Sequence, residues 1–95
     1  MSQTRIRWTI AATTDLESIA DYLFEKSPLN AAQLVRKIYE APSNLKNYPN
    51  LGRPGKKEGT RELVLSPLPY IVIYKILDDT VFIVRILHGA QDWPI

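Results

Sequence analysis

Residues 60–88 hold three β-prone runs in close succession, about Thr60–Ser66, Pro69–Leu77 and Thr80–His88. The last two are the most constraining feature of the chain. Asp78-Asp79 between them is a tight-turn signal, so they form an antiparallel hairpin. The short Ser66-Pro67-Leu68-Pro69 link makes the first two adjacent as well. A strict two-residue alternation in the last run sets Val81, Ile83 and Leu87 on one side, with Arg85 among them. Phe82, Val84 and Ile86 then point the other way, followed by His88. The middle run sets Tyr70, Val72 and Tyr74 opposite Ile71 and Ile73. Both faces are apolar, so the sheet needs cover on both.

The first half supplies cover for one face. Ile6, Trp8 and Ile10 alternate with Arg5, Arg7 and Thr9, the pattern of a half-buried strand over Arg5–Ile10. Thr14 with Glu17 three residues on reads as a capping box that opens a helix. Leu16, Ile19, Ala20 and Leu23 form its apolar stripe. Ser27-Pro28 reads as the N-cap and first position of a second helix. Its stripe is Ala31, Leu34, Val35, Ile38 and Leu45. Pro42 removes an amide donor inside this pattern and predicts a kink or an early stop. Residues 48–59 carry Pro49, Gly52, Pro54, Gly55 and Gly59 and read as a loop.

The expected fold class is therefore α+β, in the order β-α-α-β-β-β. A helical hairpin packs on one face of a small, mostly antiparallel sheet. At 95 residues the chain is read as one domain, 1–95. Such a chain buries only about 60–65% of its unfolded surface. The uncovered face, with Tyr70, Val72, Tyr74, Phe82 and Val84 assigned to it, expects closure by a partner, by the chain's own tail or by a second copy.

Several chemistries are excluded. Cysteine is absent and there is one histidine, which argues against disulfides and structural zinc. Gly52-Arg53-Pro54-Gly55-Lys56-Lys57 lacks the spacing of a phosphate-cradling loop. No nucleophile motif or carboxylate pair stands out. No apolar run is long enough to span a bilayer, and the polar N-terminus carries no signal-peptide core, so a cytoplasmic location without membrane contact is expected.

Charge is the remaining signal. Net charge is +2, but residues 53–61 concentrate Arg53, Lys56, Lys57 and Arg61 against Glu58 alone. That is a footprint for a phosphate or an acidic partner, or a solvated loop. A ribonuclease can work with basic and polar groups alone, because the RNA 2′-hydroxyl is the nucleophile. His88, Lys56, Lys57, Arg61, Arg85 and Gln91 are the residues available for that. Arg85 on an apolar face is expected to pair with a carboxylate, since an unpaired buried charge is costly. Trp8 and Trp93 read as packing residues before stacking platforms.

The chain resembles toxins of the RelE/ParE superfamily, from bacterial type II toxin–antitoxin modules. Residues 15–22 resemble the family's first helix, and Pro28 with Ala31-Ala32 the opening of its second. Leu45, Tyr48-Pro49 and Gly52-Arg53 resemble its leucine–aromatic–proline–glycine corner. Arg61-Glu62-Leu63, residues 70–74 and residues 83–88 resemble its C-terminal strands. The resemblance implies a growth inhibitor without metal or cofactor, neutralised by a cognate antitoxin that is expected to bind Tyr70, Val72, Tyr74, Phe82 and Val84, with operator DNA contacted only through that antitoxin.

Members of the superfamily differ in target. RelE-like members cleave mRNA on the ribosome, and ParE-like members poison DNA gyrase. RelE-like nucleases carry an arginine directly after the strand tyrosine, where this chain has Ile71. They carry another basic residue after the last strand, where it has Gly89-Ala90-Gln91. The resemblance thus leans toward a gyrase poison that is not an enzyme. Its target contacts are expected at Arg53, Lys56, Lys57, Arg61, Arg85, His88 and Trp93. The alternatives are a ribosome-dependent mRNA endonuclease using His88, Lys56, Lys57, Arg61 and Arg85, or a degenerate toxin acting only in its antitoxin complex.

Overall fold

The computed structural model describes residues 4–89. Their order is β1 (Arg5–Trp8), α1 (Ile10–Lys26), α2 (Ala31–Glu40), a 3-10 helix (Ala41–Lys46), β2 (Arg53–Pro54), β3 (Arg61–Val64), β4 (Tyr70–Leu77) and β5 (Thr80–His88). The five strands form one sheet in the order β1-β5-β4-β3-β2. Four neighbouring strands pair antiparallel, and β1 alone runs parallel to its neighbour, β5. The expected α+β order is present, with β2 as an addition. Its two residues pair Arg53 with Glu62 and Pro54 with Arg61, inside the segment read as loop.

Both helix starts differ from the sequence expectation. Thr9 caps α1: its extended backbone lets Oγ1 accept from the Ala12 amide at 3.1 Å. Thr14 and Glu17 therefore lie inside the helix, and Ile10 belongs to its first turn. Ser27 ends α1, its amide donating to the Leu23 carbonyl at 2.7 Å. It is thereby spent on the first helix, and α2 starts after Asn30. Pro42 behaves as expected. The α-helix stops at Glu40 and continues as a 3-10 turn with Pro42 buried at its start.

The core lies between the helical pair and one sheet face. Ala12, Leu23, Ala31, Ile38 and Leu45 meet Tyr70, Val72, Tyr74, Val81, Ile83 and Ile86 there. Ile6 and Trp8 close the β1 edge of this core. Trp8 stacks on Tyr39 with ring centroids 5.5 Å apart, as a packing residue.

A β-bulge overturns the predicted faces. Tyr74 pairs with Ile83, but Ile73 pairs with Arg85, so Val84 is an extra residue in β5. Alternation reverses across it, which puts Ile86 on the helix side with Val81 and Ile83. α1 satisfies the disturbed backbone. Thr9 Oγ1 donates to the Val84 carbonyl at 3.0 Å, and the Ile86 amide donates to Asp15 Oδ2 at 2.9 Å.

The set assigned to the uncovered face is therefore split. Tyr70, Val72 and Tyr74 are 6%, 0% and 0% exposed, beneath the helices. Phe82 pairs with Lys75 and Arg7, on the opposite face, and Val84 sits at the bulge. The helix-free face carries Arg5 and Arg7 from β1, Phe82 and Leu87 from β5, Ile71, Ile73 and Lys75 from β4, and Glu62 from β3. Its two ends differ. Ile73 and Leu87 are buried, whereas Arg5, Arg7, Lys75 and Leu77 are exposed.

Candidate functional site

The basic segment is held by a buried hydroxyl. Tyr74 Oη accepts from the Gly52 amide at 2.9 Å and donates to the Pro49 carbonyl at 2.7 Å. Arg61 completes the corner, donating from Nε to the Gly52 carbonyl at 2.9 Å and from Nη2 to the Asn50 carbonyl at 3.1 Å. A Cβ at residue 52 would stand 2.7 Å from Tyr74 Cε1 and 2.8 Å from the Glu62 carbonyl oxygen. Only glycine fits. Leu45 is fully buried just upstream. The corner seen in sequence is thus a folding device that sets where the next segment starts.

That segment is a hairpin between β2 and β3. The Gly55 amide donates to the Thr60 carbonyl at 2.8 Å, and the Thr60 amide donates to the Lys57 carbonyl at 3.1 Å. Thr60 Oγ1 bonds the same Lys57 carbonyl. Gly59 adopts φ of 84°, a backbone region that favours glycine. Lys56 and Lys57 project from this closed loop and are exposed. Arg53 Nε reaches Glu62 Oε1 at 2.9 Å, its own side chain largely exposed and the carboxylate buried.

The other candidates are built differently. Arg85 grips Asp15 with two bonds, Nε to Oδ2 at 2.7 Å and Nη2 to Oδ1 at 2.9 Å. Those hydrogen bonds push the guanidinium pKa up; burial opposes them without cancelling the rise. Arg85 pairs with a carboxylate as expected, and it works as a strut between β5 and α1. His88 ends β5, exposed, with its ring edge-on to Tyr70 at 5.8 Å. Burial, with the Tyr22 phenol as a smaller contributor, pushes the Tyr70 pKa up. Trp93 and Gln91 lie outside the described residues.

Register separates these groups. His88 pairs with Tyr70 and Arg61 with Tyr74 on the same strand, so their rows lie about 13 Å apart along β4. Lys56 and Lys57 lie on the loop before Arg61, farther still from His88. The structure gathers Arg53, Lys56, Lys57 and Arg61 in one hairpin and leaves His88 and Arg85 elsewhere. Among the described residues no group of three or more His, Cys, Asp or Glu side chains is arranged to hold a metal. No helix among them is long and apolar enough to cross a membrane.

Two roles escaped the sequence reading. Tyr74 was assigned to a partner surface, and its hydroxyl is instead the anchor of the hairpin. Asp15, the partner of Arg85, lies 70 residues away in sequence and has no local signal.

Residues 6–93 match the ParE toxin of the type II toxin–antitoxin system parDE. The chain belongs to the ParE toxin family. The toxin is 45% identical over 94 residues to the putative toxin Y4kP of Sinorhizobium fredii, covering 99% of this chain and 97% of that one. It is 39% identical over 87 residues to toxin RelE2 of Caulobacter vibrioides, covering 92% and 97%. Among solved structures it resembles the chromosomal ParDE system of P. aeruginosa with a TM-score of 0.83 and 28% identity, covering 90% of this chain and 95% of that one. It also resembles the toxin–antitoxin complex RelBE2 of Mycobacterium tuberculosis, with a TM-score of 0.68 and 25% identity, covering 92% and 99%. The toxin fold expected from the sequence, two helices on one face of a mostly antiparallel sheet, is the one these structures share.

Proposed function

We propose that this toxin arrests growth by poisoning DNA gyrase and is neutralised by a cognate antitoxin. One observation carries the choice of target. The cations of the basic hairpin and the only histidine stand at different rows of the sheet, with Arg85 committed to Asp15. Phosphodiester cleavage requires an acid, a base and charge stabilisation converging on one phosphate. A hydrogen-bonded, exposed hairpin carrying Arg53, Lys56 and Lys57 suits recognition of a large partner instead. The antitoxin reading is supported by solved neighbours that come from a ParDE toxin–antitoxin system and a RelBE2 toxin–antitoxin complex.

The test is a gyrase reaction on supercoiled plasmid with ATP and purified toxin, stopped with detergent and protease. Linear DNA should accumulate. A folded, growth-arresting toxin that yields none would overturn the gyrase target. The second reading, mRNA cleavage on the ribosome, draws on one feature, the exposed His88 ring against Tyr70. It predicts truncated transcripts in polysomes and loss of toxicity in His88→Ala.

A further inference from the structure

The helix-free face holds a row that the hairpin reading does not use. Arg7, Phe82 and Lys75 are direct neighbours across β1, β5 and β4. They share one face because their flanking pairs, Trp8, Ile83 and Tyr74, all enter the core on the other. Arg7 and Lys75 are exposed and Phe82 is half-buried between them. The two cations stand about 10 Å apart, two strand spacings. No ion pair to Arg7 or Lys75 occurs among the described residues.

The same row runs on into the basic hairpin. Continued by one residue, the β3–β4 register sets Thr60 level with Lys75, and Thr60 in turn bonds Gly55. Lys56 and Lys57 follow immediately. The row therefore crosses all five strands, about 19 Å, with Arg7 and Lys75 at one end, Thr60 and Gly55 between, and the loop of Lys56 and Lys57 at the other. Carboxylates flank the row without an ion pair to Arg7 or Lys75. Glu40 and Asp79 line a cavity beside Arg7 at the β1 edge, Glu58 sits in the hairpin loop, and Glu62 is held by Arg53.

We infer that this strip, Arg7–Phe82–Lys75 leading to Lys56 and Lys57, binds the phosphodiester backbone of a single nucleic-acid strand. Cations spaced along the open face suit a flexible polyanion, and an aromatic ring between them offers one base a stacking surface. An acidic peptide would use the charges but not the ring. The inference rests on the target reading above and names what the open face holds while the hairpin is engaged.

The experiment is fluorescence anisotropy with labelled oligo-dT and oligo-U of roughly 12 nucleotides, titrated with full-length toxin over a range of salt. Binding should weaken linearly in log–log form. The double variant Arg7→Gln/Lys75→Gln should flatten the slope by about 1.4, the share of two phosphate contacts on a single strand. Its affinity at low salt should fall about tenfold. Phe82→Leu should cost about fivefold at unchanged slope. Preference for either oligonucleotide identifies the source of the strand. Absence of binding to both, or an unchanged slope in the double variant, overturns the strip. So does loss of antitoxin affinity in that variant with oligonucleotide binding intact, which would make the surface a protein dock. The two readings fail separately. Linear DNA without oligonucleotide binding sinks the strip alone, and oligonucleotide binding without linear DNA sinks only gyrase as the target.

Discussion

The hydroxyl of Tyr74 accepts the amide of Gly52 at 2.9 Å, joining the middle of β4 to the corner that launches the basic hairpin. It also donates to the half-buried Pro49 carbonyl at 2.7 Å, so one oxygen pairs a buried amide and a partly buried carbonyl. Tyr74→Phe keeps the ring in the core and removes only that oxygen. Leaving buried polar groups unpaired costs about 1–3 kcal/mol. Differential scanning calorimetry should show a melting temperature lower by roughly 5–15 °C for a domain this size. An unchanged transition would mean that the corner is held by Arg61 alone.

The Asp15–Arg85 pair binds α1 to the bulged strand through three hydrogen bonds. Asp15→Ala leaves a guanidinium and the Ile86 amide without partners. The expected loss is about 2–4 kcal/mol, reduced from the fully buried case because both side chains keep some solvent contact. Asp15→Ala/Arg85→Met should recover much of it, since the orphaned charge is gone. Urea titrations of the four proteins test this, and simple additivity would refute the coupling.

Toxicity separates the two groups of candidate residues. Lys56→Ala/Lys57→Ala should relieve growth arrest by more than tenfold in plating efficiency at full antitoxin affinity. His88→Ala should leave arrest intact. The reverse pattern in an inducible plating assay would transfer the function to the end of β5.

Tyr70 gives the fold an alkaline limit. Its pKa is raised in the folded state above 10.0, so its contribution is fully present below that value and is lost as pH rises through the folded pKa. The melting temperature of the wild type should fall more steeply than that of Tyr70→Phe as pH rises past about 10. Parallel curves would exclude Tyr70 as the titrating group.

The helices were legible because Leu16, Ile19 and Leu23, then Leu34, Val35 and Ile38, recur with the helical period. Their starts were not. Thr9 and Thr14 are equivalent in composition, and only the contact of Thr9 with Val84 across the sheet chooses between them. Strand order followed from short links, but β2 is too short to have a pattern of its own. The faces were misread for a physical reason. When both sides of a strand are apolar, alternation carries no sign, and the bulge at Val84 is invisible. That error moved Tyr70, Val72 and Tyr74 from the core to a docking surface. The basic hairpin, a matter of local composition, was legible. Its anchoring by Tyr74, and the row of Arg7, Phe82 and Lys75, depend on register between distant segments.

The parallel pairing of β1 with β5 has a consequence for synthesis. Arg5 waits for Thr80, 75 residues later, and β5 is a central strand. Until β5 has left the ribosome, β1 has no strand to pair with and the helices have no complete sheet to cover. Contacts of such long sequence separation form slowly. The sheet that carries the basic hairpin is therefore completed in a late step, when the strand made after all the others arrives to join the first to the rest.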